Sequence, residues 1–116
     1  MSDLETLLKS NGVDVNYSDD QGCTLLMKSA KNGSVENVNT LLQYGAKVHL
    51  LDYKSLSALY HATASNELNV VKALVEGGAK ITSEIYMKSV LNNFKKITLY
   101  FDSLDKAKQI INEVKN

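Results

Sequence analysis

Apolar residues along this chain come in short bursts at helical spacing, and the bursts recur every 33 residues. The run Thr24-Leu25-Leu26-Met27-Lys28-Ser29-Ala30 leads to Gly33, Val35, Val38, Leu41-Leu42 and Gly45-Ala46-Lys47-Val48. One period later stand Ser57-Ala58-Leu59-Tyr60-His61-Ala62-Thr63, Asn66, Leu68, Val71, Leu74-Val75 and Gly78-Ala79-Lys80-Ile81. One period earlier, Gly12-Val13-Asp14-Val15 matches Gly45 to Val48. A fixed period of this length predicts a stack of repeats, whose function lies on a surface and not in one deep pocket.

The elements follow from local signals. Residues 2–11 read as a helix, with Ser2 and Glu5 as a capping box, Leu4, Leu7 and Leu8 on one face, and Asn11-Gly12 as its stop. Val13 and Val15 alternate with Asp14 and Asn16 in a short extended arm, and residues 19–22 make a turn. Thr24 caps a helix faced by Leu26, Ser29 and Ala30. Gly33 ends it, and Ser34 caps a second helix faced by Val35, Val38, Leu41 and Leu42. Gly45 ends that helix, and an arm runs to a turn near Asp52. The next unit repeats the pattern: Ser57 as cap, Leu59 and Ala62 on the face, Asn66 as break. Leu68, Val71, Leu74 and Val75 then lead to Gly77-Gly78.

After Ile81 the register slips. A shift of 59 from the unit at Leu26 pairs Ile85 with Leu26, Ser89 with Ala30, Phe94 with Val35 and Ile97 with Val38. Tyr100 and Phe101 then fall on Leu41 and Leu42. Since 59 is seven short of two periods, a fourth unit without its turn is expected. A last helix over 103–115, capped by Asp102 or Ser103, would turn Leu104, Ala107, Ile110, Ile111 and Val114 inward. Lys106, Lys108 and Lys115 would give it the polar outer face that a terminal unit needs.

Composition narrows the function classes. The chain has 116 residues, 44% of them apolar, enough for one domain with a core. Its 13 cations are all lysine and balance 13 acids, so the arginine forks typical of phosphate and base readout are missing. The acids gather toward residues 1–22, a mild hint of a basic partner. Cys23 is the one cysteine, which excludes an internal disulfide and a cysteine-based zinc site. There is neither a long apolar run nor a basic-then-apolar leader, so no membrane insertion is expected. A cytoplasmic protein is the default, with a removed leader left open.

The motifs resemble the ankyrin-repeat family, whose pattern runs D-x-x-G-x-T-P-L-H-x-A-A-x-x-G and then V-x-x-L-L-x-x-G-A-x-V. Here Asp19-Asp20-Gln21-Gly22-Cys23-Thr24-Leu25-Leu26-Met27-Lys28-Ser29-Ala30-Lys31-Asn32-Gly33 follows it, as does the run from Asp52 to Thr63. The resemblance covers residues 4–82 well and 83–116 weakly. It implies an all-α ankyrin-repeat solenoid of stacked antiparallel helix pairs with short hairpin loops and degenerate C-terminal capping helices. The single domain would divide into a half-repeat at 1–19, repeats at 20–52 and 53–82, and a degenerate repeat with cap at 83–116. Leu25 and Ala58 stand where the family has proline, Met27 and Tyr60 where it has histidine, and Ser55 where it has a turn glycine. These departures point to a less regular, less stable stack.

The resemblance also implies a protein-binding surface at the hairpin finger tips and on the concave face of the first helices. Carried over by position, it singles out Asp20, Gln21, Cys23, Lys31 and Asn32 in one unit and Tyr53, Lys54, Leu56, Ala64 and Ser65 in the next. The finger tips add Tyr17, Ser18, His49, Leu50 and Leu51. Leu50-Leu51-Asp52-Tyr53 puts three large apolar side chains where a turn should be polar. It reads as an anchor patch, or as packing against a neighbouring finger. Tyr17 would extend the patch and Asp20 give it an acidic rim, whereas Asp19 and Asp52 read as structural turn residues. His61 reads as a helix-surface residue and Cys23 as a surface turn position with no base beside it. The sequons at Asn16 and Asn32 carry little weight.

The expected function is a non-catalytic module that binds another protein, or an inhibitor or immunity-type protein covering a partner enzyme's active site. No catalytic residues, cofactor, metal or small-molecule substrate are expected, and the free chain is expected to be a monomer. Lys88, Lys95, Lys96, Lys106 and Lys108 are interleaved with Glu84, Asp102 and Asp105. They read as a solvated cap, not a nucleic-acid patch.

Overall fold

The computed structural model describes residues 3–10 and 13–115, with side chains described as far as Asp105. Among the described residues seven helices follow one another: α1 Asp3–Lys9, α2 Leu25–Asn32, α3 Val35–Gln43, α4 Ala58–Ala64, α5 Leu68–Glu76, α6 Ser83–Leu91 and α7 Lys95–Lys115. They pack in two rows. The inner row is α2, α4, α6, and the outer row is α1, α3, α5, α7; pairs α2–α3, α4–α5 and α6–α7 cross between rows. Among the described residues the only β pairing is two isolated antiparallel bridges, Ser18 to Thr24 and Leu51 to Ser57, each closing one hairpin finger. The fold is an all-α solenoid of stacked helix pairs, as the resemblance implies.

Caps set the helix starts. Thr24, Ser34 and Ser57 each accept a hydrogen bond at the hydroxyl from the backbone N–H three residues on, satisfying one amide that lacks a helical partner. Met27 occupies the family's histidine position. Its sulfur accepts the Thr24 N–H at 3.5 Å and so completes a capping box. Gly33 (φ 73°) closes α2 in the left-handed conformation; Asn66 (φ 57°) and Asn93 (φ 59°) take the same conformation after α4 and α6.

The core runs between the rows. Leu26, Met27, Leu59, Val38, Leu41, Val70, Val71, Leu74 and Ile97 are all but fully buried, each worth about 1.5–3 kcal/mol relative to exposure. Leu4 and Leu8 of α1 pack against this core, but Leu7 remains half exposed, so α1 turns a narrower face inward than its leucines suggest. The proposed Ser2 cap and Asn11-Gly12 stop lie outside the described residues.

Two sequence expectations about the C-terminal part change. Thr82 caps α6 by accepting from Ile85 N–H, as Thr24 accepts from Met27 N–H, so Ile85 matches Met27 and not Leu26. From cap to left-handed residue the α6 unit is two positions longer than the α2 unit (Thr82 to Asn93 against Thr24 to Gly33), so beyond this point the shift is 60: Asn93 matches Gly33 and Phe101 takes the buried place of Leu41, while Tyr100 is only half buried. There is also no break at Asp102 or Ser103. α7 runs on through them, because Asp102 accepts the Tyr86 hydroxyl (2.8 Å) and Ser103 donates back to the Tyr100 carbonyl. Neither side chain caps a new helix. The inward set Ala107, Ile110, Ile111, Val114 and the outward Lys106, Lys108, Lys115 lie outside the residues whose side chains are described.

The fingers are unequal in number to the helix pairs. α3 and α4 are joined by a connection from Tyr44 to Ser57 that carries a finger, whereas α5 and α6 are joined directly from Gly77 to Thr82. The third and fourth units therefore meet without a finger between them.

Candidate functional site

Each finger is built around one aspartate. Asp19 Oδ1 accepts the N–H groups of Gln21 (2.9 Å) and Cys23 (3.0 Å), and its Oδ2 pairs with Lys28 Nζ at 3.1 Å. One period later Asp52 Oδ1 accepts from Lys54 (2.9 Å) and Leu56 (3.0 Å), and its Oδ2 meets His61 Nε2 at 2.8 Å. The two aspartates hold the same turn, and each is tied to the helix that follows. The Cys23 N–H, ahead of Lys28 and Gln21, holds the Asp19 carboxyl below its usual range. Burial would raise Asp52, but the hydrogen bonds from Leu56, His61 and Lys54 outweigh it and hold this carboxyl low as well.

His61 is buried, 9% exposed, not a surface residue as its place in the helix suggests. Burial pushes its pKa below 6.5; the Asp52 hydrogen bond pulls the other way, and Lys31 adds repulsion. At neutral pH an uncharged imidazole therefore donates Nε2–H to the Asp52 carboxylate. The equivalent Lys28 is exposed and charged. The shared spacing, Asp52 before His61 as Asp19 before Lys28, is a sequence signal for the pairing with the turn aspartate but not for the burial.

Cys23 is likewise buried, 6% exposed, where a surface position was expected. The finger's closing bridge directs it toward the core cluster, and Lys31 Nζ reaches its sulfur at 3.8 Å. It offers a partner no surface.

The remaining candidates divide into three sets. Tyr17 (64%), Leu51 (55%) and Tyr53 (76%) are large apolar side chains open to solvent, and Asp20, Gln21, Lys54 and His49 are exposed around them. Lys31 and Asn32 are exposed at the end of α2, with Ser65 exposed after α4 and Ala64 half buried. Leu50 and Leu56 are half buried, Leu50 against the core, so they support the fingers more than they present themselves. Tyr60 and Lys88, which continue the inner-row face, are stacked with the ammonium 5.7 Å from the ring centroid.

The two fingers are joined to each other. Tyr53 N–H donates to the Gln21 carbonyl at 3.1 Å, and the Tyr53 ring lies over Gly22. A Cβ at Gly22 would come within 2.7 Å of that ring, and Gly22 also has φ 75°. Both the close approach and the left-handed backbone call for glycine. Lower on the fingers, Lys47 N–H donates to Asn16 Oδ1 at 2.8 Å. Tyr53 thus packs on the neighbouring finger with one face and stays open on the other. Beyond the second finger lies a cavity of about 260 Å³ lined by Leu51, Ser55, Leu56, Tyr60, Lys80 and Ile85, among others.

Among the described residues there is no grouping of histidine, cysteine, aspartate or glutamate able to hold a metal ion, and no helix long and apolar enough to cross a membrane.

Comparison with known proteins agrees with this geometry. Ankyrin repeats, in 3 copies, match residues 2–85. An ankyrin repeat protein of Fowlpox virus is 36% identical over 77 residues, 66% of this chain and 11% of that protein. One of Acanthamoeba polyphaga mimivirus is 32% identical over 98 residues, 84% of this chain and 55% of that protein. The ARF GTPase-activating protein Git of Drosophila melanogaster is 34% identical over 87 residues, but these are 72% of this chain and 12% of that protein. The chain thus spans about half the length, or much less, of the curated relatives it matches. With three matched repeats, two finger turns of one design and a two-row helix stack, the chain belongs to the ankyrin-repeat family.

Proposed function

We propose that this chain is a non-catalytic module that binds another protein through its fingers and the adjoining inner-row face. The observation that carries the reading is the exposure of Tyr17, Leu51 and Tyr53 on fingers whose turns are held by Asp19 and Asp52. Large apolar side chains on a preorganised scaffold lose little entropy on binding and make effective anchors. Asp20, Gln21, His49 and Lys54 would form the polar rim, with Lys31 and Asn32 extending it along α2. Ankyrin repeats are generally protein-interaction elements, and the likeness to the GTPase-activating proteins is confined to a small part of each.

The test is affinity capture with the wild-type chain against the Leu51→Asp/Tyr53→Asp double variant, with circular dichroism to verify folding. Partners retained by the wild type and lost by a folded variant support the reading. Equal retention overturns it. An enzyme among those partners, with turnover that falls on adding the chain, would narrow binding to inhibition.

A further inference from the structure

The inner row is open at both ends, and the ends are unlike. The exposed residues of α2 are Lys28, Lys31 and Asn32, all polar, whereas the second half of α6 exposes Met87, Val90 and Leu91, neighbours at helical spacing. On α7 beside them Leu99 is 66% exposed. A terminal unit needs a polar outer side, and this one is apolar at its centre.

The repeat shows what this side is built for. Counted from the left-handed Asn66 and Asn93, Val90 stands at the place of Thr63 and Leu99 at that of Lys72. Thr63 is fully buried within the stack, and Lys72 reaches the next unit, where its ammonium lies 5.7 Å from the Tyr100 ring centroid. Val90 and Leu99 therefore lie on the side that each unit turns toward its successor. Between α6 and α7 this side holds a trough of about 280 Å³ lined by Ser89, Val90, Asn93, Lys95, Thr98 and Leu99. The Ser89 and Thr98 hydroxyls are 2.8 Å apart, with the Tyr86 and Phe94 carbonyls within 2.7 and 3.2 Å. An apolar side chain laid over the trough leaves neither hydroxyl without a partner.

Charge selects the occupant. Lys95 and Lys96 stand one turn before Leu99 on α7, Asp102 stands one turn after it, and all three are exposed. Tyr86 steadies Asp102 by a bond to Oδ1 alone. Turned end for end, this stripe is its own complement: with two copies of Leu99 face to face, the lysines of each copy meet the aspartate of the other. A head-to-tail stack has no such match, because α2 would bring Lys28 and Lys31 toward Lys95 and has no exposed large apolar side chain to seat against Leu99.

We propose that this end face binds a second copy of the same chain across a two-fold axis at Leu99, with the two α7 helices antiparallel. Leu99 of each copy packs into the trough of the other, Val90 and Leu91 close around it, and Lys95 and Lys96 pair with Asp102 across the axis. The axis closes, so assembly stops at two. The face shares no residue with the fingers, so the dimer presents two finger surfaces, and the monomer expected from the sequence is the dilute form.

Sedimentation equilibrium between about 10 µM and 1 mM should show the mass rising from 12.8 kDa toward twice that value and no further. Leu99→Asp, with circular dichroism unchanged, should raise the dissociation constant at least about tenfold. Lys95→Glu/Lys96→Glu and Asp102→Lys should each weaken self-association when alone. A one-to-one mixture of these two variants should restore it, because every charge then faces its opposite; a merely adhesive apolar end would not be rescued. The proposal is overturned by a chain that stays monomeric at 1 mM, by assembly beyond two copies, by a folded Leu99→Asp variant that dimerises as tightly as the wild type, or by a mixture without rescue. Self-association lost in the Leu51→Asp/Tyr53→Asp variant also overturns it, since the contact then belongs to the fingers.

Discussion

His61 Nε2 lies 2.8 Å from Asp52 Oδ2, so a helix residue and the turn aspartate that precedes it hold each other in place. The pair links finger to helix. Replacing His61 by alanine leaves the carboxylate oxygen without this donor in a poorly solvated place, and stability should fall by about 1–3 kcal/mol in denaturant titration. His61→Gln, which can still donate to the carboxylate, should recover part of that loss.

The same pair makes stability depend on pH. The folded imidazole sits below its ordinary 6.5, chiefly because it is buried. As pH falls through 6.5 the unfolded chain takes up a proton that the folded chain still refuses, so stability drops from there down to the folded value. Asp19 and Asp52 are held below 3.8, and they add a second loss as pH falls from that value through their folded ones. Thermal melting should show a Tm that is level above neutrality and declines as pH falls below 6.5 toward the depressed folded value of His61. His61→Gln should flatten that first decline and leave the more acidic one.

Gly22 and Ser55 occupy the same turn position one period apart, and opposite substitutions should have opposite effects. Gly22→Ala places a Cβ against the Tyr53 ring in a left-handed backbone, and it should destabilise by about 1–2 kcal/mol or more. Ser55→Gly relieves the same backbone conformation where no ring lies above it and should stabilise by up to about 1 kcal/mol. Denaturation midpoints of the two variants decide this; equal signs would contradict the geometry.

Cys23, buried beneath Lys31, should resist thiol reagents in the folded chain and react at the rate of a simple thiol once it is unfolded. Reaction kinetics with a disulfide reagent, with and without denaturant, measure the difference. Rapid reaction in native buffer would return Cys23 to the surface.

What the sequence revealed and what it hid divide by distance along the chain. Caps at Thr24, Ser34 and Ser57 and the stop at Gly33 depend on groups within a few residues, so their signals are local and legible. The exposure of Tyr17, Leu51 and Tyr53 was legible too, since each sits on a finger away from the helix pairs. The burial of His61 and Cys23 was not, because it depends on where a finger folds back onto a helix. The continuity of α7 was hidden for a related reason. Asp102 and Ser103 look like caps until Tyr86, sixteen positions earlier, is seen to take up the aspartate. The fourth unit's register is set at its start by the Thr82 cap and changes again within α6, which no local signal marks.

Among the described residues, each helix of this stack makes its stronger contacts with its neighbours along and across the two rows, and this governs how the molecule opens. α4 is held by α2, α5 and α6, whereas α1 rests on α3 alone among the stronger contacts. Cooperativity in such an array passes from neighbour to neighbour, so opening begins at an end and works inward. Amide hydrogens of α4 should therefore exchange with solvent last, at the rate of global unfolding, and those of α1 first. A partner seated across both fingers would couple the α2–α3 and α4–α5 units, and its binding would be read as slower exchange in the middle of the chain.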